Sequence, residues 1–366
     1  MTSQIYHDLR EQLDQYSVGF PSTESGVEMK ILEKLFSEPE AELYLNLSVM
    51  LETPKAVADR VGRPEQEIAG LLETMFEKGL VFRLKKDESV KYGAVPFVVG
   101  SYEYQVKCMD KEFAELFDQY LVEAFGREGI AQYAPLRTIP VNKSIDHAWP
   151  VTPYEDVRAI MQSKDKISVG DCICRVQQNL LDKGCGKPLE VCFMFGSHAD
   201  FYVEKGMARF ITKEEALRII DSCDEAGLVP QPFVAQDAGG MCNCCGDCCG
   251  ILRSIKMHPK PAEKVLTNYY AQVDVDACSA CETCLDRCQM DAASIGDLGV
   301  AVINRDRCIG CGLCVSTCPS EAMSLKLKPE SERREPPATG KDYFMQIASL
   351  RGKSLIPLNI IKKASS

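Results

Sequence analysis

The chain has 366 residues, 45% of them apolar and 26% charged, which is too long for one small domain and ample for two or three ordinary cores. Its formal charge of −11 argues against broad nucleic-acid binding, which runs on basic surface, and fits either plain solubility or steering toward a basic partner. Nineteen cysteines are the outlier. The opening MTSQIYHDLREQ has no basic start followed by an apolar stretch, so no signal peptide is expected, and no apolar run is long enough to span a bilayer. The expected compartment is the reducing cytoplasm, where closely spaced cysteines point to metal or catalysis rather than disulfides.

In chain order, residues 28–52 read as helical, with apolar Ile31, Leu32, Leu35 and Phe36. Thr53-Pro54 starts a second helix ending near Gly62, and Pro64 a third, with Ile68, Leu71, Leu72 and Met75 as its buried stripe. Leu80-Val81-Phe82 and residues 94–99 read as two strands around the charged turn 85–88. Three helices and a hairpin over 28–99 resemble a winged helix-turn-helix, within a first domain at 1–100. The third helix carries Glu65, Glu67, Glu73 and Glu77 against Arg63 and Lys78, which disfavours DNA and leaves a scaffold or partner-binding role. Residues 101–165 read as a mostly helical connector, with core residues Phe113, Leu116, Phe117, Tyr120 and Leu121. Cys108 stands alone there and reads as a buried thiol.

Residues 166–260 form a cysteine-rich middle domain. Thr212 and Glu215 make a capping box for a helix stopped by Gly227, and Cys223 lies on its core face with Ala216, Ile219 and Ile220. The remaining cysteines are Cys172, Cys174, Cys185, Cys192, Cys242, Cys244, Cys245, Cys248 and Cys249, too dense for packing alone. The Cys-Cys-Gly pairs at 244–250 resemble those of heterodisulfide-reductase catalytic subunits, which implies an iron–sulfur cluster. A zinc site or a store of redox thiols are the alternatives. Arg175 beside Cys174 would either act on thiolates or form a surface ion pair, and His198 is not expected to be a ligand.

Residues 272–328 carry two cysteine runs, Cys278-x2-Cys281-x2-Cys284-x3-Cys288 and Cys308-x2-Cys311-x2-Cys314-x3-Cys318-Pro319, each cysteine of the second 30 residues after its counterpart. Asp276 and Asp306, Val273 and Ile303, Ala292 and Ala322, and Ser294 and Ser324 extend this duplication. Two-residue gaps let three thiolates wrap one face of a compact inorganic core, and the fourth thiolate comes from the other run. The module resembles bacterial dicluster ferredoxins, which implies two [4Fe-4S] clusters and low-potential electron transfer. Cluster I would use Cys278, Cys281, Cys284 and Cys318. Cluster II would use Cys308, Cys311, Cys314 and Cys288. Small residues Ala280, Gly310 and Gly312 suit close backbone, and Gln289 stands where the family has a proline. A pair of four-cysteine zinc sites is the structural alternative.

Residues 329–366 read as a linker and a basic tail. From Lys326 to Ser366 there are nine Lys/Arg against four Asp/Glu, and Leu355, Ile356, Leu358, Ile360 and Ile361 add an apolar patch. Such a tail would fold back on the acidic body or grip a partner. No dinucleotide fingerprint or phosphate loop is present, so no NAD, FAD or ATP site is expected and electrons would pass to redox partner proteins. The expected fold class is α+β multi-domain. The expected function is an electron carrier or electron-transfer subunit of an anaerobic oxidoreductase system. A reductase with a Cys-Cys-Gly active site and a redox-sensing regulator are the alternatives.

Overall fold

A computed structural model describes residues 3–144 and 151–365. The chain is mixed helix and sheet and folds as two compact units. Unit 1 comprises Met1–Pro135 with Phe344–Ser366, and unit 2 comprises Leu136–Tyr343.

Unit 1 opens with the helix Gln4–Asp14. The helical stretch expected over 28–52 is instead two helices, Val27–Leu35 and Glu38–Tyr44. The break is local chemistry: the Ser37 N–H donates to Glu40 Oε2 at 2.7 Å, and Pro39 sits in the new first turn, where its missing N–H costs nothing. Thr53 caps Pro54–Val61, Gly62 ends it at φ 70°, and Glu65–Glu77 buries Ile68, Leu72 and Met75. Strands β1 (Val81–Lys86) and β2 (Ser89–Ala94) pair antiparallel from Val81↔Ala94 to Lys86↔Ser89. The second strand therefore lies earlier than the expected 94–99. Asp87 accepts φ 53° in a two-residue turn, and Phe97 goes into an aromatic core rather than a ladder. That core joins Phe20, Tyr102, Phe117, Tyr120 and Phe125, with Tyr102 and Phe117 stacked at 3.9 Å. Glu73 is consumed inside the unit, by Arg83 and by the Tyr92 hydroxyl.

Several local expectations need correction. Cys108 is exposed, not buried, because it follows a 3₁₀ turn at the surface, where its thiol bonds the Gln105 side-chain oxygen at 3.2 Å. The connector is helical through Lys111–Tyr120, the wider turns of Leu121–Ile130 and again Val157–Ser163, but residues 134–141 have no regular structure apart from an isolated β-bridge at Leu136. The part of that stretch at 145–150 lies outside the described residues. Residues 329–337 are not a free spacer: Arg334 N–H donates to Asn268 Oδ1 at 2.9 Å, and Pro337 O accepts from the Gln236 N–H at 2.8 Å. After the helix Gly340–Leu350, Arg351 and Lys353 both clasp Asp14, at 2.9 and 2.8 Å.

Unit 2 contains a five-stranded antiparallel sheet, β3 (Ile167–Asp171), β4 (Glu190–Phe195), β5 (Ala208–Ile211), β6 (Val229–Pro232) and β7 (Gly240–Cys244), in the order β5-β3-β4-β7-β6. Helices Val157–Ser163 and Lys213–Glu225 close its core through Ile160, Met161, Ala216 and Ile220 against Val169, Phe193 and Met241. Thr212 caps the second, Glu215 N–H donating to Thr212 Oγ1 at 3.2 Å, but the Glu215 carboxylate pairs with Arg209 at 2.7 Å instead of completing the expected box. The rest is a small duplicated module. Strands β8 (Tyr269–Val273) and β11 (Met323–Leu327) pair antiparallel, as do β9 (Ala293–Ile295) and β10 (Ala301–Ile303). Short helices Thr283–Arg287 and Leu313–Ser316 sit between them.

Candidate metal centres

The 30-residue repeat of the module extends into its backbone. Left-handed φ values recur at Ala280 and Gly310 (56° and 65°), Glu282 and Gly312 (62° and 76°), and Asp291 and Glu321 (52° and 54°). Hydrogen bonds recur as well. Asp274 N–H donates to Ala322 O at 2.7 Å, and its counterpart Asn304 to Ala292 O at 2.8 Å. Left-handed residues are costly for anything but glycine, so their repetition marks a loop shape held for a purpose.

That shape turns the thiols inward. Cys278, Cys281, Cys284 and Cys318 line one cavity. Cys288, Cys308, Cys311 and Cys314 line a second. In each, three cysteines come from one run and the fourth from the other. Backbone N–H groups point at sulfur, Ala292 to Cys288 Sγ at 3.1 Å and Ala271 to Cys308 Sγ at 3.4 Å. The cavities differ electrostatically. In the first, a hydroxyl and N–H from Thr283 hold Cys281 below the ordinary thiol value, and burial raises Cys284. In the second, burial pushes Cys308 and Cys314 up and Cys311 up to about 12. Converging thiols that burial keeps protonated need a cation before they can ionise together, and soft thiolates in fours suit an iron–sulfur core.

The middle region builds its thiols on the ends of the sheet. Cys172 follows β3 and starts the helix Ile173–Leu180, with Cys174 in its first turn. Cys192 lies in β4, Cys242 and Cys244 alternate along β7, and Cys249 starts the helix Gly250–Lys256. Side-chain contacts sort the nine into two groups. Cys172 meets Cys174, Cys174 meets Cys249, Cys249 meets Cys244, and Cys242 joins Cys244 to Cys192. Separately, Cys185, Cys245 and Cys248 hold their sulfurs within 4.8 Å of one another. Each Cys-Cys pair is thus divided, Cys244 from Cys245 and Cys249 from Cys248. Within both groups protons are shared: the Cys248 thiol holds Cys245 down to about 4, and Cys174 with Cys244 holds Cys249 down to about 6.

Arg175 is buried, which rules out the surface ion pair. Its Nη1 donates to Pro188 O at 2.8 Å and its Nη2 to Asn243 O at 3.0 Å. Burial alone would lower its pKa, but thiolates of Cys172, Cys245 and Cys244 hold it above the ordinary guanidinium value. Cys223 is buried as expected, with its thiol pushed up to about 12 by burial.

One residue links module and sheet in a way the sequence reading missed. Gln289, directly after Cys288, accepts the Gly246 N–H on its Oε1 at 2.7 Å. Gly246 directly follows Cys245, and a Cβ on it would lie 2.4 Å from Gln289 O. The only signal was negative, the missing proline. Arg287 and Ser316 fasten the same face to Asp224, Ser316 Oγ donating to Asp224 Oδ1 at 3.0 Å.

Among the described residues no helix is long and apolar enough to cross a membrane. A family model for a 4Fe-4S binding domain matches residues 301–324, which include Cys308, Cys311, Cys314 and Cys318. No curated protein and no solved structure gives a significant match. The chain carries an iron–sulfur module of the ferredoxin type.

Proposed function

We propose that the protein transfers single electrons through two [4Fe-4S] clusters in residues 272–328 and exchanges them with a further cluster held by the middle thiols, as a carrier or as a subunit of an oxidoreductase system. The observation that carries this reading is the sharing of cysteines between the cavities. Cys318 lines the cavity of Cys278, Cys281 and Cys284, and Cys288 lines that of Cys308, Cys311 and Cys314. Each bound cluster supplies a one-electron couple. The chain supplies the rest. Thiolates fix the cluster positions, and amides at Ala271 and Ala292 place N–H dipoles on sulfur. The hydrogen bond from Gly246 to Gln289 sets the backbone of Cys288 against that of Cys245, a short covalent and hydrogen-bonded connection between module and sheet.

The test is anaerobic purification followed by iron and acid-labile sulfide counting with EPR. Two interacting cubane signals on dithionite reduction, with iron and sulfide in excess of those two clusters, are expected. Stoichiometric zinc without sulfide would refute electron transfer.

A further inference from the structure

The sequence groups the nine middle thiols as candidate ligands of one cluster, yet three of them stand apart. Cys185 Sγ lies 3.8 Å from Cys245 Sγ, and Cys248 Sγ is within 4.8 Å of both. A tetrahedral ion with metal–sulfur bonds of about 2.3 Å requires sulfurs about 3.8 Å apart. The corners of a four-iron cubane hold their thiolates farther apart, because the inorganic core lies between them. We propose that Cys185, Cys245 and Cys248 form a separate mononuclear site for one thiophilic divalent cation, zinc or ferrous iron, with its fourth position open to an exogenous ligand such as a thiol. This deepens the reading of the middle region as a metal centre and rests on it.

Three further features support the site. Lys187 Nζ and Asp247 Oδ2 pair at 3.0 Å, joining the loop that carries Cys185 to the loop that carries Cys245 and Cys248. Among the described residues no carboxylate or imidazole joins the three sulfurs within 4.8 Å, which leaves the fourth position without a protein ligand. Charge closes as well: three thiolates against a divalent cation leave one negative charge, and the buried Arg175 guanidinium balances it. That guanidinium is anchored on the carbonyls of Pro188 and Asn243, next to both ligand loops. Finally, Cys245 and Cys248 are buried while Cys185 is partly exposed, which leaves one side of the site accessible.

The experiment uses the full chain purified anaerobically, with metals counted by mass spectrometry and acid-labile sulfide measured in parallel. Cys185→Ser should remove one metal equivalent per chain with sulfide unchanged, and the ion lost identifies zinc or iron. Cys174→Ser, in the other group, should remove iron and sulfide together. Loss of sulfide in Cys185→Ser, or unchanged metal, overturns the proposal. Unchanged sulfide in Cys174→Ser instead defeats the further cluster and leaves this site standing. As a measurement independent of variant folding, wild-type protein exchanged with Co2+ should show tetrahedral thiolate–cobalt bands that shift on adding a small thiol. Absence of the bands refutes the site, and bands indifferent to thiol refute the open position.

Discussion

Replacing Gly310 by Ala tests whether the close backbone approach around the second cavity is required. A Cβ at Gly310 would lie 2.3 Å from Tyr269 O and 2.6 Å from Tyr269 C, both backbone atoms of β8. Tyr269 is paired with Leu327 in β11, so the strand cannot simply step aside. The left-handed φ costs a non-glycine residue about 1–2 kcal/mol, and overpacking against a fixed neighbour adds about 1–3 kcal/mol. The expected destabilisation is therefore about 2–5 kcal/mol. The repeat provides its own control, because Ala280 already carries a Cβ at the equivalent position, with φ 56°. Ala280→Gly relieves about 1–2 kcal/mol of that strain but frees the unfolded chain by about 0.4–1 kcal/mol, so it should lie between wild type and about 1.6 kcal/mol more stable. Anaerobic denaturant unfolding gives the stabilities, and metal counting gives the site. Gly310→Ala should release metal preferentially from the cavity of Cys308 and Cys311, which flank it. A Gly310→Ala protein within about 0.5 kcal/mol of wild type, with full metal content, would refute the argument.

Cys288→Ser should damage the centre of Cys308, Cys311 and Cys314, and Cys318→Ser that of Cys278, Cys281 and Cys284. EPR of the reduced variants distinguishes this from ligation within each run. Gln289→Ala should keep the metal content, cost about 1 kcal/mol for the lost hydrogen bond, and slow reduction of the middle region after flash reduction of the module; equal rates would remove Gln289 from the connection. Asp14→Asn should destabilise unit 1 by about 2 kcal/mol near neutral pH, in the range of a hydrogen bond to a charged group. Burial alone would raise the Asp14 pKa, but bonds from Lys353 and the Phe20 N–H, with the charge of Arg351, hold it below the ordinary value. Its contribution is thus complete above the unfolded pKa of about 4 and is lost as pH falls through the lower folded value. The Asn variant should lack that acid-dependent part in a melt series across pH.

The meeting of Cys318 with the first run was legible because a repeat of ligand spacings carries its own geometry. The division of the middle thiols was not, because adjacent cysteines go to different groups. Cys242 and Cys244 share a face of β7, while Cys245 lies just past the end of the strand. A strand at 240–244 puts Cys242 and Cys244 together, but Gly and Asn have little strand propensity and hide it. Cys185 arrives from a loop, and nothing in its neighbours announces its partners. The helix break at Ser37 and the exposure of Cys108 turn on local hydrogen bonds that compete with a plausible apolar pattern.

The pairing of β8 with β11 also bears on how such a chain can be assembled. Tyr269, at the start of β8, lies across from Leu327, at the end of β11, and Lys328 N–H donates to Asn268 O at 2.8 Å. The two ends are zipped together, so the chain leaves the module beside the point where it entered. A cassette of this kind can be spliced into a host loop without prising the flanking segments apart. The contacts of Gln289 with Gly246, and of Arg287 and Ser316 with Asp224, then mark the host surface that has to match whatever is spliced in.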